Sequence, residues 1–231
     1  VDITRDAVDK GIEIIRKNYN RSVASGRFTQ ETVEKRMELI TGTTDYQDLS
    51  QVDIVIEAVF EDMELKKGIF SELEKVCKSE AILASNTSSL DINEIAKVTD
   101  RPEKVCGTHF FSPANVMKLM ENVRAKDTSI ETVATIMRLS KTLKKTGVLV
   151  GVGDGFVGNR MMHVAARVAE FMVEEGALPW QIDEVIYNFG FPMGPFAMND
   201  LAGVDVRYSI RQEQKKLYGD RRQSMILENL Y

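Results

Sequence analysis

Hydrophobic residues in the first two thirds of the chain follow two patterns, short continuous apolar runs and longer segments with one apolar helical face. The apolar runs predict strands, at residues 52–60, 81–84, 105–111 and 147–152. The segments between and around them predict helices, at residues 61–78, 91–98 and 129–144. Strands that alternate with helices at this spacing indicate βαβ units and a mostly parallel sheet. The run VDIVIEAVF at residues 52–60 is typical of a strand that is covered on both faces.

The first 44 residues predict a helical pair between two pieces of strand. Residues 1–2 look like the end of a strand, and Thr4 is a suitable cap for the helix that follows. Thr29 is a suitable cap for a second helix at residues 31–39. Residues 40–44 then predict a minor strand.

Beyond Asp154 the pattern changes to helical periodicity alone. The predicted helices cover residues 156–175, 179–189 and 199–217. Gly176 suits a helix C-terminus, and residues 191–196 (FPMGPF) predict a rigid turn. We therefore expect an α/β domain at residues 1–153 and an all-helical domain at residues 154–231.

Composition excludes several classes of protein. The chain has 231 residues, 43% of them hydrophobic and 28% charged, which is typical of a globular protein. No stretch approaches the ~20 apolar residues that span a bilayer, and a net charge of −5 gives no reason to expect a nucleic acid partner. No His, Cys or carboxylate spacing suggests a metal site, and Cys77 and Cys106 are expected to be reduced core thiols. The basic clusters at 141–145 and 215–222 are expected to be solvated helix faces and loops, with assistance to an anionic ligand as the alternative.

Polar side chains follow the predicted parallel strands at the edge where ligands bind in such sheets. Glu61 follows the first strand, Asn86, Thr87 and Ser88 follow the second, and His109 closes the third. Each one alone has an ordinary explanation, since such residues make turns and cap helices and a single His is often structural. Their convergence on one edge favours a functional site.

A turn at residues 112–115 would bring residues 116–123 back beside the strand of His109. Period-2 alternation then places Glu121 near His109 across the strand pair. A carboxylate that holds one imidazole nitrogen while the other faces substrate suits the abstraction of a proton from an alcohol. The alternative is that Glu121 is a solvated strand carboxylate. His163 lies within a predicted helix, where we expect a packing or surface role.

Five motifs carry a resemblance that covers about residues 50 to 210 in one order. They are VDIVIEAVFEDMELKK, ASNTSSL, GTHFFSPANVMKLMENV, GFVGNR and EFMVEEGALPWQIDEVIYNFGFPMGPFAMNDLAGVDV. With them the chain resembles the 3-hydroxyacyl-CoA dehydrogenases, and among these the dehydrogenase parts of the peroxisomal multifunctional β-oxidation enzymes. The resemblance implies a Rossmann-type NAD-binding domain followed by a helical domain.

The resemblance also implies catalytic roles for four residues. His109 would be the general base that takes the C3 hydroxyl proton, and Glu121 would orient it and stabilise its charged form. Ser88 would bond the substrate beside the nicotinamide, and Asn159 would help to hold the reacting carbonyl. From the residues alone, a capping or inter-domain structural role for Asn159 is an equal alternative, because it lies in the first turn of a predicted helix.

For the cofactor, NAD, the resemblance places Glu61 and Lys66 by the nicotinamide ribose and Ser112 at a further contact. The chain departs from the family in having no GxGxxG turn, and Asp2 is an insecure substitute for the acidic residue that holds the adenine ribose. We therefore expect a sheet that lacks its first strand–helix unit, a chain incomplete at both ends, and weak NAD binding or none by these 231 residues alone.

The implied function is NAD-dependent oxidation of (S)-3-hydroxyacyl-CoA to 3-ketoacyl-CoA in fatty acid β-oxidation. The expected partner is an acyl-CoA substrate, with a homodimer or intramolecular packing through the helical domain. The implied location is the peroxisome, with the mitochondrion or cytoplasm as alternatives. Two other functions remain open: a different two-domain 3-hydroxyacid dehydrogenase that uses a Lys base, and a non-catalytic structural or interaction protein on the same scaffold.

Overall fold

The computed structural model describes residues 1–204, 208, 210–212, 215, 219 and 223–230. The chain divides into two compact units, Val1–Gly153 and Asp154–Tyr231. The first unit is built on a sheet with helices, and the elements described in the second unit are helices.

The sheet of the first unit has five strands in the order of the sequence. They are β1 (Ile54–Glu57), β2 (Ile82–Ser85), β3 (Val105–Phe110), β4 (Leu119–Arg124) and β5 (Thr146–Gly151). β1, β2 and β3 are mutually parallel, β4 runs antiparallel to β3, and β5 is parallel to β4. This confirms the predicted mostly parallel sheet, and it places the carboxyl ends of β1, β2 and β3 at one edge.

The helices of the first unit begin where short polar side chains cap them. They are α1 (Arg5–Ala24), α2 (Gln30–Met37), α3 (Met63–Val76), α4 (Ile92–Ala96) and α5 (Ile130–Thr142). The predicted caps are confirmed: Thr4 accepts a hydrogen bond from the Ala7 amide and Thr29 accepts one from the Thr32 amide, both at 3.2 Å. Two short 3₁₀ helices, Tyr46–Leu49 and Pro102–Lys104, complete the unit.

Two predicted pieces of strand are wrong. Residues 1–2 and 40–44 have no strand conformation. The Asp2 amide donates to the Thr43 carbonyl at 3.2 Å, but no ladder of further backbone bonds joins these two stretches, both of which are fully described. A strand requires such a ladder, so branched residues alone did not suffice here.

The strand β1 is also shorter than predicted, because it ends at Glu57 and not at residue 60. The Val59 amide donates to the Glu57 carboxylate at 2.7 Å, so its acceptor is a side chain and not the backbone of a neighbouring strand. Phe60 is largely exposed. The apolar run therefore continues beyond the strand into the loop that carries Glu61.

The second unit contains α6 (Gly158–Glu174), α7 (Pro179–Phe189), α8 (Pro195–Ala202) and a short helix at Ile226–Leu230. Gly176 has φ of 107°, as expected of the residue after a helix end. In the described part of the chain no helix is both long and apolar enough to cross a bilayer.

The predicted boundary between the turn at residues 191–196 and the helix from residue 199 is wrong, because α8 begins at Pro195. The Asp183 carboxylate accepts hydrogen bonds from the Phe196 and Ala197 amides, at 3.0 and 2.8 Å. Asp183 lies on α7, so the start of α8 is capped from a different helix, which local sequence does not reveal. The rest of the predicted helix to residue 217 lies partly outside the described residues.

Candidate active site

β3 and β4 bring His109 and Glu121 into direct contact. The two residues are opposite each other in the antiparallel register, which places their side chains on the same face of the sheet. His109 Nδ1 lies 2.7 Å from Glu121 Oε2. His109 is 6% exposed and Glu121 is 1% exposed. The expected contact across the strand pair is present, and Glu121 is not a solvated carboxylate.

The His109 ring has an aromatic neighbour as well. Its centroid lies 4.4 Å from that of Phe111, with the ring planes inclined by 44°. Tilted contacts at this separation are favourable for aromatic rings. The buried carboxylate and the Phe111 ring together define the orientation of the imidazole.

The loop between β3 and β4 is held by the lysine that directly precedes β5. Lys145 Nζ donates to the Ala114 carbonyl and, at 2.6 Å, to the Met117 carbonyl. This corrects the expectation that the whole basic cluster at residues 141–145 is simply solvated. Ser112, at the start of this loop, is exposed and precedes Pro113 through a cis peptide bond.

A second group of polar side chains surrounds Glu61 at the carboxyl ends of β1 and β2. Glu61 Oε1 accepts hydrogen bonds from Thr87 Oγ1 at 2.6 Å, from the Ser88 amide at 2.8 Å and from Ser88 Oγ at 3.1 Å. Burial raises the pKa of Glu61, but these hydrogen bonds and the charge of Lys66 outweigh burial and leave the pKa below its usual value. Glu61 is therefore ionised at neutral pH.

Lys66 lies beneath Glu61 and is completely buried, at 0% exposure. Its Nζ lies 2.8 Å from Glu57 Oε1 and 3.5 Å from Glu61 Oε2. Glu57 Oε2 accepts a hydrogen bond from Ser85 Oγ at 2.6 Å, and these two residues are partners in the β1–β2 register. A buried lysine is stable only with such compensation.

Glu57 and Ser85 were not among the predicted site residues, and Thr87 was predicted only to lie at the same edge of the sheet. The signal for Glu57 was present, because a lone carboxylate inside the apolar run IVIEAV requires a buried partner. Ser85 gave no comparable signal, since its side chain is small and uncharged and serine is common where a strand passes into a turn.

Asn86 connects the two groups of residues. Its Oδ1 accepts a hydrogen bond from the Phe110 amide at 2.9 Å, and its own amide donates to the Glu57 carbonyl at 2.7 Å. The residue after β2 is thereby tied to the ends of both neighbouring strands. Glu61, Ser88 and His109 consequently belong to one edge of the sheet, as expected.

Asn159 lies in the second unit, as the second residue of α6. It is half-buried, as is His163 in the middle of the same helix. The preceding Gly155 has φ of 64°, and a Cβ there would lie 3.0 Å from the Arg160 amide nitrogen. The backbone before Asn159 therefore requires a glycine, which fits its place in the GFVGNR motif.

Comparison with known proteins decides the family. Residues 1–155 match the family described as 3-hydroxyacyl-CoA dehydrogenase, NAD binding domain. Residues 155–231 match the C-terminal domain of the same family. The chain belongs to the 3-hydroxyacyl-CoA dehydrogenase family.

Several members of this family are similar to the chain over most of its length. It is 55% identical to the human peroxisomal bifunctional enzyme over 172 residues, which are 74% of the chain and 24% of that protein. It is 40% identical to a peroxisomal fatty acid beta-oxidation multifunctional protein of Arabidopsis thaliana, over 95% of the chain and 30% of that protein. The chain thus spans about a quarter of the length of the human relative.

A solved structure supports the same assignment. The (S)-3-hydroxybutyryl-CoA dehydrogenase of Ralstonia eutropha is 34% identical and superposes with a TM-score of 0.94, over 99% of this chain and 82% of that one. The Rossmann-type domain with a helical domain is therefore the fold of this 3-hydroxyacyl-CoA dehydrogenase family member.

The residues at the sheet edge suit NAD, the cofactor of the family's first domain. Glu61 Oε1 accepts hydrogen bonds from Thr87 and Ser88, and Glu61 Oε2 lies 3.5 Å from Lys66 Nζ. The Glu61 side chain is 37% exposed. An ionised, partly exposed carboxylate is a suitable acceptor for a ribose hydroxyl group.

No cluster of three or more metal-binding side chains occurs in the part of the chain that the structure covers. Cys77 and Cys106 are buried free thiols, and burial raises the pKa of Cys106 to about 12, which keeps it protonated.

Proposed function

We propose that this chain carries a dehydrogenase active site that oxidises (S)-3-hydroxyacyl-CoA to 3-ketoacyl-CoA with NAD, in fatty acid β-oxidation. The observation that carries the proposal is the 2.7 Å contact between His109 and Glu121 at the edge of a sheet that belongs to the family's NAD-binding domain. Residues 1–153 would bind the cofactor, and residues 154–231 would be the C-terminal helical domain.

In this proposal His109 is the general base. Its Nδ1–H would donate to Glu121 Oε2, which fixes the tautomer and leaves Nε2 as the atom that takes the proton of the C3 hydroxyl group. The O–H bond and the C3–H bond of the substrate break and a C3 carbonyl forms. NAD supplies the chemistry of accepting the hydride from C3. Glu121 would then stabilise the imidazolium that His109 becomes.

Four other side chains would position the reactants. Ser88 would bond the substrate, and Asn159 would hold the developing carbonyl. Glu61 and Lys66 would serve the nicotinamide ribose, and Ser112 would contact the cofactor. The Glu61 hydrogen bond from Ser88 Oγ, at 3.1 Å, supports a shared location for substrate and cofactor groups.

The proposed substrate and location follow from the family and its members, and the proposed assembly follows from exposed side chains of α6. The acyl-CoA substrate is favoured by the family, and a peroxisomal location by the names of the human and Arabidopsis relatives. A homodimer or intramolecular packing through the helical domain is favoured by exposed apolar side chains along α6. These are Met161, Met162, Val164 and Val168.

Substitution of His109 tests the proposal. In the full-length protein, His109→Gln should lower kcat by roughly 100- to 10,000-fold, the usual contribution of a general base. His163→Asn, at the second histidine, is the matched control and should retain activity. NADH binding by His109→Gln should stay within about twofold of wild type. Near-normal turnover of His109→Gln would refute the assignment.

The substrate class has its own test. Oxidation of 3-hydroxybutyryl-CoA should proceed, and oxidation of free 3-hydroxybutyrate should be far slower, because binding energy from the remote CoA group is used in the transition state. Equal rates for both substrates would favour another 3-hydroxyacid dehydrogenase. Absence of turnover with either substrate would favour a non-catalytic protein on this scaffold.

A further inference from the structure

We propose that Lys145 is a positioning residue of the active site, which holds the loop between β3 and β4 in the place where that loop meets the nicotinamide cofactor. This inference rests on the proposed function, since Ser112, in this loop, contacts the cofactor only if NAD binds at this edge of the sheet. It adds to the site a residue from a basic cluster that the sequence predicted to be solvated.

The loop joins the two strands that carry His109 and Glu121, and most of it lies at the surface. Residues 112–118 are all exposed. The amides of residues 116 and 117 both donate to the Pro113 carbonyl, at 2.9 and 3.0 Å. These two bonds close a local turn, which defines the shape of the turn but not its position relative to the sheet.

Lys145 connects this turn to the rest of the first unit. Its Nζ donates to the Ala114 carbonyl and, at 2.6 Å, to the Met117 carbonyl, so one ammonium group bridges two points of the loop. Lys145 is half-buried, whereas the loop that it binds is exposed. Hydrogen bonds from a charged donor are stronger than those between neutral groups, and partial burial reduces competition from water.

The backbone of Lys145 is itself fixed by two other elements. Its amide donates to the Ser140 carbonyl, in the last turn of α5, and the following amide, that of Thr146, donates to the Lys118 carbonyl where β5 begins, both at 2.8 Å. The preceding residue, Lys144, has φ of 56°, so the chain turns sharply as it leaves α5. The lysine side chain therefore reaches the loop from a position that α5 and β5 define.

This arrangement separates the loop from the catalytic pair. The contact of His109 with Glu121 is set by the register of β3 and β4, which does not involve Lys145. Ser112 instead belongs to the exposed loop whose carbonyl groups Lys145 binds. Loss of the lysine donors should therefore weaken cofactor binding and leave the properties of the base unchanged.

Four forms of the full-length protein test this role: wild type, Lys145→Met, Lys145→Arg and Lys141→Met. Methionine keeps an unbranched stem but has no donor, whereas arginine restores both the charge and the donors. Lys141 is the control, because it is an exposed lysine of the same basic cluster. Hydrogen–deuterium exchange reports on the loop, NADH fluorescence on cofactor affinity and the pH profile of kcat on the base, and thermal unfolding checks that each form is folded.

In Lys145→Met, the amides of residues 116 and 117 should exchange roughly tenfold faster than in wild type, because the turn is no longer held from outside. NADH should bind about five- to tenfold more weakly. Exchange in β3 and β4 and the pKa seen in the kcat profile should match wild type. Lys145→Arg should recover most of the lost affinity, and Lys141→Met should behave as wild type does.

Several results would overturn the inference alone. Unchanged loop exchange in Lys145→Met would show that the lysine does not hold the loop, and unchanged NADH affinity would show that holding it does not serve the cofactor. A shifted pKa in the kcat profile would show that Lys145 acts on the base instead. An equal loss of affinity in Lys141→Met would show that the charge of the cluster attracts the cofactor. A wild-type protein that binds no NADH would overturn the proposed function and the inference together.

Discussion

Glu121 and Glu61 both serve the same edge of the sheet, yet their surroundings differ. Glu121 is 1% exposed and directs Oε2 at one imidazole nitrogen. Glu61 has a side chain 37% exposed, and hydroxyl groups, an amide and a lysine surround it. A carboxylate bonded to a titratable base suits proton transfer, whereas one held by fixed donors suits the binding of a neutral hydroxyl group.

The difference also concerns what sets the geometry. The pair of His109 and Glu121 is defined by the register of two neighbouring strands. The group around Glu61 combines the ends of β1 and β2, a loop and the buried face of α3. Substitutions in the first should therefore alter turnover, and those in the second should alter cofactor affinity.

Of the substitutions at the two carboxylates, Glu121→Gln should have the larger effect. The amide removes the negative charge that stabilises the imidazolium and does not fix the tautomer of His109, so kcat should fall by roughly 100-fold or more. NADH affinity should change by less than about twofold, since Glu121 does not belong to the ribose group. Steady-state kinetics together with NADH titration measure both quantities. A variant with normal kcat and weakened NADH binding would reverse the comparison.

A smaller and opposite effect is expected for Glu61→Gln. Loss of one charge-assisted hydrogen bond should weaken NADH binding roughly tenfold. In saturating NAD, kcat should fall much less than in Glu121→Gln, because Glu61 does not hold the base. The split between KM for NAD and kcat is the measurement, and a loss confined to kcat would contradict the assignment.

The smallest expected effect is on the way the free energy of unfolding depends on pH. The pKa of Glu61 is lowered from the ordinary value of 4.5, because hydrogen bonds from Thr87 and Ser88 and the charge of Lys66 outweigh burial, which raises it. The ionised carboxylate therefore stabilises the folded state above pH 4.5, and this contribution is lost as the pH falls through the lowered pKa.

Urea unfolding of wild type and Glu61→Gln from pH 7 to pH 3 measures this contribution. Wild type should be the more stable protein at pH 7, and the difference between the two midpoints should shrink below the ordinary carboxyl pKa. The partial exposure of Glu61 limits its size. A difference that grows as the pH falls would show that the folded-state pKa is raised instead.

Features that depend on residues close to one another in the sequence could be predicted. The caps at Thr4 and Thr29 depend on amides three residues away, and the contact of His109 with Glu121 depends on alternation about a turn. Apolar runs correctly predicted the sheet and its mostly parallel order.

Features that depend on separate elements could not be predicted. Ser85 lies 28 residues from Glu57, and Asp183 caps a helix that begins 12 residues later. Lys145 reaches carbonyl groups 28 and 31 residues earlier in the chain. Each of these contacts requires knowledge of how strands and helices pack, which periodicity does not supply. Residues 40–44 show the converse, since strand-forming side chains there have no partner ladder.

His109 and Glu121 should act as one catalytic unit. The most direct test compares kcat for His109→Gln, Glu121→Gln and the double variant in the full-length protein. If Glu121 acts only through His109, the double variant should be no slower than His109→Gln alone, within about twofold. If the two losses instead multiply, the residues act independently and the proposed base is not this pair.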